Sequence, residues 1–225
     1  AGALLEESAG KLGLGHVRAA SSGASGIPNP HPWLFTGSQT YSLVHGGTVS
    51  KNMLYNLITD SGNDLSWLTA HPPQTFGVDT WQDSSGWANV VDSELILLFI
   101  MQQVELQGTI LMGLEAAFSS LLAAGVAPGQ LNIVFSDGQN LFVFGGAGGL
   151  SIAETESHIV VMTSPSGEGE AASLDWTGLG NGELLVIGSD GIIRYPDFAG
   201  VTGEDPPAVP KGPWLLPAYP NPFNG

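Results

Sequence analysis

A chain of 225 residues that is 43% hydrophobic carries enough apolar material for one large domain, or for one domain plus a tail. Only 12% of the residues are charged, and 21 acids against five Lys and Arg give a formal charge of −16, which repels phosphate backbones and speaks against nucleic acids and anionic membranes as partners. There is no cysteine, so disulfides, thiolate metal sites and cysteine nucleophiles are excluded within these residues.

In chain order, residues 1–15 read as the tail of a short helix running into a strand, with Leu4, Leu5, Leu12 and Leu14 buried. Residues 16–20 continue that strand. Residues 21–32 form a turn-rich loop kept extended by Pro28, Pro30 and Pro32. Two short strands follow at 33–35 and 41–44, and Gly46-Gly47 permits a backbone geometry that other residues resist. Ser50 caps a helix through about Ile58, with Met53, Leu54 and Leu57 on one face. Residues 59–90 read as a long polar loop. In it, Asp60, Asn63 and Asp64 suit a solvated turn better than a calcium loop, whose twelve-residue spacing is missing.

Asp92 opens the clearest helix, SELILLFIMQQVELQ. Gly108 ends it and Thr109 caps the next, in which Leu111, Leu114, Phe118, Leu121 and Leu122 recur at helical spacing. After Pro128 the period becomes strand-like. LNIVF-SDGQ-NLFVFGG and GELLVIG-SDG-IIRYP read as hairpins, with SHIVVMTS as a single strand between them. Strands, then helices, then strands suit a layered α+β domain. From residue 199 a Pro- and Gly-rich stretch without periodicity begins, which places a domain boundary near residue 198. No apolar run approaches the roughly 18 residues of a membrane span. The chain opens with neither an initiator Met nor a signal peptide, so we expect a segment of something longer.

Nucleophile-elbow, zinc-protease, Walker and dinucleotide motifs are all missing, and the histidines lack metal-ligand spacing. Four features remain. Arg18, followed by Ser21 and Ser22, offers either a bidentate grip on a carboxylate or a structural salt bridge. Gly46-Gly47 forms either an anion-binding turn or a plain tight turn. Asp92 either caps its helix or grips an ammonium. His31, between two prolines, reads as structural. One cation, one anion and a donor-lined turn together match a ligand with both an α-carboxylate and an α-ammonium, that is, an amino acid.

At these residues the chain resembles a known family. HVRAASSG followed by NPHPWLF is similar to the HVRxAS-x-G…N-x-HPF signature of class II glutamine amidotransferases, which are N-terminal nucleophile hydrolases. VHGGTV falls where that family has H-N-G-x-I, and VDSEL where it has a D-S/T-E helix start. LNIVFSDGQNLFVF and VVMTSPSG…LDWTGLGNGELLVI resemble two further stretches, in order. The resemblance implies a four-layer αββα sandwich, lacking its N-terminal strand here, in residues 1–198. It implies hydrolysis of the side-chain amide of glutamine or a γ-glutamyl compound, with no metal and no cofactor. Arg18, Ser21, Ser22 and Asp92 would bind the substrate, and Gly46 and Gly47 would lie at the oxyanion hole. Two departures stand out. Only 15 residues precede the HVR motif and none is the family's cysteine nucleophile, so the nucleophile is expected outside this segment. The family's oxyanion asparagine is Gly46 here, and losing one such donor costs roughly 10²–10³ in rate. A catalytically degenerate relative that binds an amino acid or peptide end is therefore the alternative.

The ending, LPAYPNPFNG at 216–225, resembles the start of the Ig-like sorting domain of bacterial type 9 secretion, after a linker at 199–215. That resemblance implies a protein secreted or held at the cell surface, with the secretion machinery as a partner.

Overall fold

A computed structural model describes residues 12–16, 22–23, 31–163, 165, 167 and 169–200. The elements in order are β1 (Trp33–Thr36), β2 (Thr40–Gly46), α1 (Lys51–Thr59), α2 (Ser66–Ala70), α3 (Ser84–Asn89), α4 (Asp92–Gln107), α5 (Ile110–Ala123), β3 (Asn132–Ser136), β4 (Leu141–Gly145), β5 (Ser151–Glu154), β6 (Ile159–Met162), β7 (Thr177–Gly178), β8 (Glu183–Gly188) and β9 (Gly191–Tyr195). Six strands form one antiparallel sheet in the order β1-β2-β3-β4-β8-β9, and three form a second in the order β6-β5-β7.

Strand alternation assigns the two faces of the larger sheet. Leu43, Ile133, Phe135, Phe142, Phe144 and Leu184 join the main core with the helices. Their neighbours Val134, Val143, Leu185 and Ile187 face the smaller sheet and pack with Leu150, Ile152, Val161 and Leu179. The layers therefore run helices, large sheet, small sheet. Beyond the small sheet, the 3₁₀ turn Gly169–Ser173 and Trp176 lie against Val160 on the outer face of β6. This is the α+β sandwich expected from the sequence, with a thin outermost layer.

The central helix is α4. Every residue from Asp92 to Met101 is buried, as expected of a helix that is apolar nearly all round. Gly108, at φ 78°, ends it, and the Thr109 side chain accepts from Met112 N–H to start α5. On α5 the buried positions are Gly113, Leu114, Ala117, Phe118 and Leu121, so the apolar face is set by small residues as much as by leucines. Leu111 and Leu122, expected in that face, are only half-buried. Gly113 is where the helix pair comes closest: a Cβ there would lie 2.5 Å from Val104 Cα.

Three expectations need correction. Residues 59–90 are not a plain polar loop but hold α2 and α3. Leu68 and Trp81 are buried, and Trp67 Nε1–H donates to Leu98 O at 3.0 Å, so apolar anchors override the polar composition. The strand β5 was not foreseen, because SIAE sits in a Gly- and Glu-rich setting with little alternation. Residues 12–16 are not in a strand, whereas 17–20 lie outside the described residues. Residues 201–225, with the expected linker and sorting domain, also lie outside them. Phe198 and Ala199, at the expected boundary, are buried in the main core.

Candidate functional site

The site is built on the ends of β2, β3 and β6 and the start of α4. Alternation along β2 sends His45 towards α4 and leaves Val44 and Gly46 on the opposite face. Across the ladder, Gly46 pairs with Asn132 and Val44 with Val134. Those four residues form one wall of a cleft of about 560 Å³ between the two sheets. Val161 and Met162 of the small sheet, Thr163 just after it, Asp92 and Ser93 at the start of α4, and Ser22, His16 and His31 line the same cleft.

Four of the six residues that the resemblance assigns to the site therefore meet in one place: Ser22, Gly46, Gly47 and Asp92. They come from segments up to 70 positions apart, and Asp92 N–H donates to Ser22 Oγ at 3.2 Å. Arg18 and Ser21 lie outside the described residues. His31 stands in the cleft wall, its ring 4.2 Å from that of His16.

Asp92 does two things at once. It is 2% exposed, its Oδ1 accepts from Ser93 N–H and its Oδ2 from Val49 N–H, both at 2.9 Å. The residue flanking α4 on its N-terminal side is Val91, so Asp92 is not the expected N-cap but the first helical residue. Its carboxylate ties the helix start to the turn after Gly47. Each oxygen keeps a further lone pair, and at a helix N-terminus the charge is well placed.

The turn itself is held by Gln130. Its backbone carbonyl accepts from His45 Nε2–H at 2.7 Å, and its side-chain oxygen accepts from Thr48 N–H at 2.7 Å. Gly47 is required by that approach, since a Cβ would lie 2.2 Å from Gln130 O. Gly46 is not so constrained: a Cβ there would meet nothing closer than 3.8 Å. The carbonyl of Gln130 can only accept, so Nε2 of His45 carries the proton. Nδ1 of the neutral ring then accepts from the Ser93 hydroxyl at 3.1 Å. Burial pushes the His45 pKa below the ordinary histidine value, against the opposing pull of the Gln130 carbonyl and the Asp92 charge.

His45, Ser93, Gln130 and Asn132 were not singled out from the sequence. The period-two pattern of LNIVF could have placed Asn132 opposite Ile133, on the cleft side. For Gln130 there was no local signal, because its partners lie 82 and 85 positions away. Among the described residues there is no group of three or more His, Asp or Glu arranged to hold a metal ion.

No family model matches the chain, and no curated protein matches it. Solved structures do. One described as the allosteric regulatory enzyme of purine biosynthesis superposes with a TM-score of 0.52 at 18% identity, over 80% of this chain and 33% of its own. Glutamine phosphoribosylpyrophosphate amidotransferase from B. subtilis superposes with a TM-score of 0.49 at 16% identity, over the same shares. A glutamine aminotransferase class-II domain protein from Silicibacter pomeroyi gives 0.41 at 19% identity, over 68% of this chain and 66% of that one. The chain thus spans a third of the length of the two enzymes and about two thirds of the third protein. Identities this low speak to fold alone: the chain shares its α+β fold with the enzyme of purine biosynthesis on which it superposes with a TM-score of 0.52.

Proposed function

We propose that the cleft between the sheets takes glutamine or a γ-glutamyl compound, as an amidohydrolase of the glutamine amidotransferase type. The observation that carries this reading is the convergence of Ser22, Gly46, Gly47 and the buried Asp92 on the lining of one cleft. The spare lone pairs of Asp92 suit a substrate ammonium, and Arg18 is assigned to the substrate carboxylate. Gly46 and Gly47 are assigned to the side-chain carbonyl, at the far side of the turn that Asp92 anchors. Hydrolysis needs a group that attacks the amide carbon. The chain has no cysteine, so the hydrolytic form of this proposal relies on a nucleophile outside these 225 residues.

One observation favours a second reading, in which the site binds and does not cleave. Gly46 offers no side-chain donor where the family pattern has asparagine. The two readings share the ligand and differ in turnover. Calorimetric titration with L-glutamine, on the parent protein and Arg18→Ala, tests the shared part: one site is expected, with a loss of about tenfold or more in the variant. Binding indifferent to Arg18 would sink both readings. Ammonia release from glutamine then separates them, since a binding module releases none.

We further propose, from the YPNPFN ending, that the protein is exported. Fractionation of the producing cells checks this, and recovery in the cytoplasm alone would reject it.

A further inference from the structure

We propose that Asn132 reads the carboxamide of the ligand, and so makes the cleft prefer glutamine to glutamate. This rests on the glutamine reading above. Asn132 lies at the start of β3, directly across the ladder from Gly46, and lines the cleft. Its Oδ1 is buried and accepts no hydrogen bond among the described residues. A buried acceptor without a donor costs free energy, and in a native fold it calls for an explanation.

The surroundings supply one. The Asn132 side chain is flanked by two glycines. A Cβ on Gly46 would lie 3.8 Å from Asn132 Cβ, and a Cβ on Gly149 would lie 3.0 Å from Asn132 Nδ2. Side chains at these positions would crowd the amide, and their absence keeps space beside it. Nor is Asn132 needed to hold the turn, which Gln130 and Asp92 fasten.

An asparagine amide presents one acceptor and two N–H donors. A primary carboxamide presents the complementary pair: its N–H donates to Oδ1 while its carbonyl accepts from Nδ2–H. The match survives a half-turn about χ2, which only exchanges the two ends. A carboxylate has no hydrogen to give, so with glutamate Oδ1 stays orphaned and faces a second set of lone pairs. A site built to satisfy a polar group rejects the analogue that leaves it bare. Asn132 also places a side-chain donor on the strand next to Gly46, which has none.

The test is a calorimetric comparison of L-glutamine, L-glutamate and L-glutamate γ-methyl ester. The ester keeps the side-chain carbonyl and has no side-chain N–H. The parent protein is expected to favour glutamine over both by about tenfold or more. In Asn132→Leu, of similar size, that ratio is expected to fall towards one. Asn132→Ala, which removes the amide and adds no charge, serves if the leucine variant does not fold, and is likewise expected to lose the preference. A glutamine preference that persists in a folded variant, or an ester that binds the parent as tightly as glutamine, overturns the role of Asn132 and leaves the glutamine reading standing. A parent protein that binds none of the three overturns both.

Discussion

Gly46 and Gly47 are neighbours with opposite tolerances. Gly47→Ala drives a methyl group into the Gln130 backbone, so we expect it to cost about 2–3 kcal/mol in chemical denaturation. Gly46→Ala meets only ordinary contacts and is expected to change stability by less than about 1 kcal/mol. Equal losses from the two changes would show that the turn is not held against Gln130. Asp92→Asn keeps one acceptor oxygen where two backbone N–H groups now bond, and should cost about 1–3 kcal/mol for the one left bare.

Glu94, also at the start of α4, gives a pH dependence. Burial pushes its pKa up to about 8, although Gln74 N–H donates to its carboxyl and pulls the other way. A group raised in the folded state contributes stability that is complete below about pH 4.5 and lost as the pH rises towards 8. Glu94→Gln stays neutral and keeps an acceptor for Gln74. It should therefore lose less stability between pH 5 and 8 than the parent, by roughly 2–4 kcal/mol. His45 works in the opposite direction. With its pKa lowered, its contribution is complete above about pH 6.5 and is lost as the pH falls below that. Parallel melting curves for the parent and Glu94→Gln across this range would contradict the burial of a protonated Glu94.

At this scale the sequence was partly legible. Gly47 and Asp92 stood out because glycine in a turn and an acid at a helix start have known uses. That Asp92 would reach back to Val49, and His45 to Gln130, was not legible. Each depends on contacts between segments more than 40 positions apart, and no local pattern encodes them.

Among elements, α4 and α5 are the most informative pair. Continuous apolar sequence announced α4, and Gly108-Thr109 marked both its end and the start of its partner. The role of Gly113 was hidden, since glycine in a helix reads as a weakness until the neighbouring helix is in view. Gly113→Val should destabilise by about 2–3 kcal/mol or more, because Val104 backbone atoms occupy the space its side chain needs. A stable variant with unchanged helix content would mean that the pair can separate at little cost. The 59–90 stretch misled for the same reason. Its polar count hid the few residues that fasten it, Leu68, Trp67 and Trp81. Lys51 adds another fastening, donating to Trp87 O at 2.7 Å and Val90 O at 3.0 Å at the end of α3.

For the whole molecule, the order strands, helices, strands was enough to anticipate the α+β layering, because alternation and helical spacing are local signals. The pairing of β8 with β4, which sets the small sheet between them in sequence aside, was not. Net charge acts at this scale too. A formal charge of −16 on a chain with five Lys and Arg means self-repulsion, so the melting temperature should rise by a few degrees between low salt and about 0.3 M sodium chloride. An unchanged or falling temperature would show that the acids are already compensated.

The central claim is that one cleft between the sheets receives an amino acid with a side-chain amide. The direct measurement is an NMR titration of the ¹⁵N-labelled protein with L-glutamine. The account predicts saturable shifts grouped at Ser22, Gly46, Gly47, Asp92 and Asn132, and their loss in Gly46→Leu, whose side chain would project beside Asn132 and Thr163. No shifts, or shifts grouped at the outer hollow around His158 and Trp176, would contradict it.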